Sequence, residues 1–142
     1  MVWTERNGCI FEEENIYYIA HCISSDFVLR SSISRELDKR KKLKDTLNLY
    51  PLNHKKPSYV GSALLINRVF NLITEEKYYE KPTYKNLRAA FCNMKLYCID
   101  LSIKRVAICK SGSGFEPLDW KDIRYIITDI FKDMDIEFVM FP

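Results

Sequence analysis

The chain has 142 residues, 47% apolar and 29% charged, with a formal net charge of +3 from 22 basic and 19 acidic side chains. That is the length of one domain, here 1–142, with a full core, and too mild a charge to point to nucleic acid by itself. No apolar run is long enough to span a bilayer and no charged-then-apolar start reads as a signal peptide, so an intracellular, cytoplasmic protein without a membrane partner is expected.

Five cysteines (Cys9, Cys22, Cys92, Cys98, Cys109) are odd in number and match no metal-ligand spacing. They read as reduced, structural thiols, and neither a metal nor a cofactor is expected. Residues 15–23, rich in β-branched and aromatic groups, form a near-continuous apolar run that predicts a strand buried on both faces. His21 lies inside it and reads as a satisfied core histidine rather than a general base. Ser24-Ser25-Asp26 ends the strand.

Residues 31–47 predict a helix, with Ser31, Ser32 or Ser34 as its cap. Its middle is a basic run, Lys39–Lys44. A solvated face is the favoured reading, with a nucleic-acid patch or nuclear import signal kept as the alternative. Residues 48–58 carry Pro51, Asn53, His54 and Pro57 and read as loop. Val60–Ile66 and Val69–Thr74 predict a hairpin turning at Asn67-Arg68. A charged loop with two tyrosines follows. Pro82-Thr83 then opens a helix with an apolar stripe of Tyr84, Leu87, Ala90, Phe91, Met94 and Cys98.

Val106–Cys109 predicts another strand. The loop Ser111–Gly114 holds two of the four glycines, Gly112 and Gly114, and a helix capped by Asp119 follows. Strand, glycine loop and helix make a phosphate cradle, or an ordinary Ser-Gly-Ser-Gly loop. Trp120, Ile123, Ile126, Ile127, Ile130 and Phe131 form that helix's buried face, and Ile136–Phe141 closes as a strand. Alternating strands and helices predict a three-layer α/β/α domain, and the hairpin makes its sheet mixed. The Ser24–Ser34 turn and the Ser111–Glu116 loop both lie beyond strand carboxyl ends, where ligands bind in such sheets.

The order of these pieces resembles a macro domain, closest to the branch containing terminal ADP-ribose protein glycohydrolase. Three stretches carry the match: Ala20–Ser24 with Asp26; Leu72-Ile73-Thr74 with Lys81-Pro82-Thr83-Tyr84 and Asn86-Leu87; and Gly112, Gly114, Leu118 and Trp120. Gly8 with Phe11 fits the N-terminal motif, so the resemblance covers nearly the whole chain. It implies ADP-ribose or a related nucleotide as ligand, met by Ser24, Arg30, Ser31 and Ser32 of the first loop and by Ser111, Gly112, Ser113, Gly114 and Phe115 of the second. Phe115 either stacks on the ligand or belongs to the core.

Several positions depart from the family pattern. The adenine-reading aspartate is replaced by Cys9, a poor acceptor. The glycine-rich first loop is replaced by Arg30-Ser31-Ser32, which crowds the approach although Arg30 can grip a phosphate. The catalytic lysine is replaced by Glu75, which cannot form an amine–sugar adduct. Lys77, two residues on, is a distant substitute. The catalytic aspartate is replaced by Glu116, which keeps acid/base chemistry but moves it by one methylene. The expected function is a pseudoenzyme working through a protein partner or as a structural module, with ADP-ribose binding weakened or lost. Behind it stand an ADP-ribose binder, a weak ADP-ribosyl hydrolase using Glu116, and a nucleic-acid module on Lys39–Lys44. The heavy use of Asn, Lys, Ile and Tyr suits an AT-rich genome, such as that of a virus.

Overall fold

The structure is a computed structural model and describes residues 1–13, 15–51 and 56–142. Six strands form one sheet: β1 (Val2–Glu5), β2 (Tyr18–Ser24), β3 (Ala63–Ile66), β4 (Val69–Glu75), β5 (Arg105–Cys109) and β6 (Glu137–Phe141). Their order is β1-β6-β5-β2-β4-β3. Every pairing is parallel except that of β3 with β4. Helices with both ends among the described residues flank it: α1 (Ser32–Lys41), α2 (Leu43–Leu47), α3 (Tyr84–Asp100) and α4 (Trp120–Phe131).

The apolar run at β2 is explained by its place: six of its seven residues are buried, because both faces of this inner strand are covered. Ala20 and Cys22 point into one core, with Phe91 and Met94 of α3 and Ile127 and Phe131 of α4. Ile19 and Ile23 point into the other, with Leu37 of α1 and Leu43 and Leu47 of α2. This is the mixed-sheet, three-layer α/β/α arrangement that the alternation of elements predicts.

Local chemistry accounts for the differences from expectation. The single helix expected over 31–47 is two, because Lys42 adopts a left-handed conformation at φ 53. Asp38 stabilises the break by accepting the Lys44 amide at 2.8 Å. Tyr50 and Pro51 are helical where loop was expected, and Asn53 and His54 fall outside the described residues. Asn67 and Arg68 both have positive φ, as a two-residue type I′ hairpin turn requires. Tyr84 is 39% exposed rather than part of the buried stripe. Its hydroxyl instead donates to Asp122 and accepts the Asp119 amide, tying α3 to the start of α4. The strand β1 was not anticipated: it is a short, half-exposed edge strand, without the apolar run that marks a buried one.

His21 is fully buried on the α1 side of the sheet, with Nε2 2.6 Å from Asn71 Oδ1 and Nδ1 2.7 Å from Ser34 Oγ. Burial lowers its pKa to about 4, against a smaller opposing effect of the Asn71 hydrogen bond. The unfolded chain takes up a proton near pH 6.5 that the folded chain refuses until about pH 4, so this site costs stability as pH falls through that window. Glu75 acts with the opposite sign, because burial raises its pKa to about 7. In a Glu75→Gln protein the histidine should dominate. Chemical denaturation at pH 5 should then show about 2 kcal/mol less stability than at pH 7. Equal stability at the two pH values would show that His21 is not held neutral.

Candidate functional site

Loops leave the carboxyl ends of β2, β4 and β5 on the same sheet edge and enclose a cleft of about 370 Å³. Cys22, Ser24, Arg30 and Ser31 supply one wall, Gly114 and Glu116 another. Glu75, Tyr78, Tyr79 and Glu80 supply the third.

Asp26 staples the first loop to the third. It accepts the Ser24 hydroxyl, the Val28 amide at 3.2 Å and the Tyr78 amide at 2.9 Å. Burial pulls its carboxyl upward, but these hydrogen bonds outweigh burial and hold it below the usual carboxylate range. The Arg30 guanidinium rests 5.5 Å from the centre of the Tyr78 ring, so it lines the cleft rather than filling it. Ser31 caps α1 by accepting the Ser34 amide at 3.1 Å.

The second loop is held by its own carbonyls. Ser113 accepts the Cys22 amide at 2.8 Å, and Gly112 accepts the Ile33 amide at 2.9 Å. Gly112 and Gly114 have φ of 79° and 85°. A Cβ at Gly114 would lie 2.5 Å from the Cys22 carbonyl oxygen, and one at Gly112 would run into the Ser32 hydroxyl. Packing of loop against strand therefore requires glycine at 114, and the positive φ favours it at both positions, independently of any ligand.

Three amides beside the cleft are engaged within the chain. The Gly112 amide donates to Glu116 Oε1 at 3.2 Å. In the first turn of α1 the Ile33 amide goes to Gly112 and the Ser34 amide to Ser31. Three carboxyl groups (Glu75, Glu80 and Glu116) line the cleft against the one guanidinium of Arg30. Burial raises Glu75 to about 7, and nearby Asp26 and Glu80 add to the rise while the Thr74 hydrogen bond opposes it. Burial pushes the Cys22 thiol well above its usual value, so the sulfur at this wall is not a nucleophile.

Of the residues singled out in the sequence, Ser24, Arg30, Ser31, Glu75, Gly114 and Glu116 meet at the cleft. Ser32 and Gly112 lie against each other, and Ser111 is exposed. Ser113 is buried, with its hydroxyl lacking a hydrogen-bond partner. Phe115 is 2% exposed and packs edge-on to Trp120 at 5.6 Å, so its ring belongs to the core and cannot stack on a ligand. Lys77 is exposed, outside the lining, and its amide donates to Glu80. Cys9 is exposed, its carbonyl accepting the Glu12 amide. Arg40 of the basic run pairs with Glu36 at 2.8 Å and lies over the Phe11 ring. The Tyr78–Tyr79 wall was missed, its one signal being a tyrosine pair in an otherwise charged loop. Among the described residues no group of three or more His, Cys, Asp or Glu is placed to hold a metal. No helix there is long and apolar enough to cross a membrane.

No family model matches the chain. It is 29% identical over 142 residues to the ADP-ribose glycohydrolase OARD1 of Bos taurus, covering 97% of this chain and 90% of that one. The macrodomain of Mycobacterium tuberculosis DarG superposes with a TM-score of 0.83 at 15% identity, over 99% of this chain and 97% of that one. Thermosipho africanus DarTG in complex with ADP-ribose gives a TM-score of 0.67 at 9% identity, over 87% of this chain and 37% of that one. The chain has the macro-domain fold.

The glycine packing yields a stability prediction. Gly114→Ala should lower the free energy of unfolding by roughly 2–4 kcal/mol, because the strand carbonyl must move to admit a methyl group. Denaturant titration measures it, and a loss under 1 kcal/mol (about the cost of the positive φ alone) would show that the loop yields freely.

Proposed function

We propose that this macro domain has given up ADP-ribosyl hydrolysis, keeps weak affinity for ADP-ribose, and serves as a protein-binding module rather than an enzyme. The observation that carries the reading is the Glu116 carboxylate on the Gly112 amide. A carboxylate there occupies a backbone donor that a phosphate would need, and adds a charge that repels it. Glu75 supports the same reading. It stands where the family resemblance places the catalytic lysine, and an ionised or protonated carboxyl cannot form that lysine's adduct. Affinity is weakened rather than abolished because the cleft is open and Arg30 lines it. For the protein partner, Leu96, Ile99 and Leu101 at the end of α3 expose apolar surface, each more than half accessible.

Titration calorimetry with ADP-ribose tests the binding. Glu116→Ala should tighten it about tenfold by freeing the Gly112 amide and removing a charge. Affinity should also rise several-fold between pH 8 and pH 6, as Glu75 gains its proton, and Glu75→Gln should flatten that dependence. The wild-type protein should release no ADP-ribose from an ADP-ribosylated protein; release that Glu116→Gln abolishes would overturn the reading in favour of a hydrolase.

A further inference from the structure

Two serines at the cleft have hydroxyl hydrogens that are already committed elsewhere. We infer that these two serines of the first loop therefore read hydrogen-bond donors on a ligand, such as sugar hydroxyls or amines, and offer nothing to phosphate oxygens. This rests on the function proposed above for the choice of ligand, though not for the direction of the hydrogen bonds.

Asn71 fixes that direction. Its side-chain NH₂ donates to the carbonyls of Leu64 at 2.9 Å and Val69 at 3.2 Å, which turns Oδ1 toward His21. An amide oxygen only accepts, so His21 Nε2, 2.6 Å away, carries the hydrogen. The ring is fully buried with no carboxylate bonded to it, and is neutral. Its Nδ1 is then bare and takes the hydroxyl hydrogen of Ser34 at 2.7 Å. With that hydrogen spent, Ser34 Oγ must accept from Ser31 Oγ at 2.6 Å. Ser31 Oγ itself accepts the Ser34 amide. What Ser31 has left, at the cleft wall, is a lone pair.

Ser24 arrives at the same state by another route. Its hydroxyl donates to the Asp26 carboxylate, which the amides of Val28 and Tyr78 help to keep ionised. Both serines line the cleft, and both can accept but not donate. A ribose hydroxyl offers what they need; a phosphate oxygen meets lone pairs. His21 is on this account a positioning residue, setting from beneath α1 how Ser31 faces the cleft.

Nitrogen-15 NMR of the histidine-labelled protein at pH 7 reads the direction without any ligand. The His21 ring should be the neutral tautomer with hydrogen on Nε2; a hydrogen on Nδ1, or on both nitrogens, would overturn the assignment. ADP-ribose and ADP then serve as paired probes, since the first presents a distal ribose where the second ends in phosphate. Wild type should favour ADP-ribose by about tenfold. In Ser34→Ala the Ser31 hydroxyl is released to donate, and the preference should shrink by about fivefold. Ser34→Thr, which restores the hydroxyl, should restore it. Intact binding with an unchanged ratio in Ser34→Ala would overturn this inference alone. Failure of both probes to bind at millimolar concentration would sink the proposed ADP-ribose affinity and the ligand preference with it, whichever tautomer is found.

Discussion

The close approach of the Ser111–Glu116 loop to β2 and α1 is the contact on which the site depends. Two carbonyls of that loop take amides from the strand and from the helix, at Cys22 and Ile33. Both positions have a positive φ that favours glycine, and at Gly114 the Cys22 backbone leaves no space for a Cβ. This one contact sets the cleft's width, fixes where Glu116 can reach, and consumes an amide of the α1 first turn. The features that make the loop look like a phosphate cradle are thus also the features that join two layers of the fold.

A second constraint follows from how the cleft's polar groups are satisfied. Ser24 and Ser31, the Gly112 amide and the Asp26 carboxylate all have partners within the chain. These four groups are held in place without a ligand. An anionic guest meets that Gly112 amide already bonded to Glu116, and the carboxyl groups of Glu75 and Glu80 beside it.

Much of this was legible in the residues. The apolar run at β2 and the stripes of α3 and α4 reflect burial, and burial leaves a period in the sequence. The Gly112/Gly114 loop and the carboxyl of Glu75 at the end of β4 were equally visible, since they are matters of residue identity. What was hidden depends on three-dimensional partners. Nothing adjacent to Glu116 announces that its carboxylate turns back to an amide four residues earlier. The break at Lys42 is set by an Asp38 side chain reaching forward to the Lys44 amide, and basic residues continue through it without a change of pattern. Phe115 was ambiguous for the same reason: an aromatic after a glycine loop serves a ligand or a core equally well, and only the position of Trp120 decides. The edge strand β1 has too few buried positions to leave any period at all.

The pairing of β1 with β6 has a consequence for how the molecule is made. Val2–Glu5 has one neighbour in the sheet, and that neighbour is the last strand, with Val2 opposite Glu137 and Glu5 opposite Met140. During synthesis the first strand emerges with its partner still untranslated. The β2–β4 pairing and the β3–β4 hairpin can assemble earlier, from segments already outside the ribosome. One margin of the sheet therefore forms in the order of translation, while the other stays open until β6 has been made. Over that interval Trp3 and Phe138, whose rings stack 6.4 Å apart in the finished fold, have yet to meet.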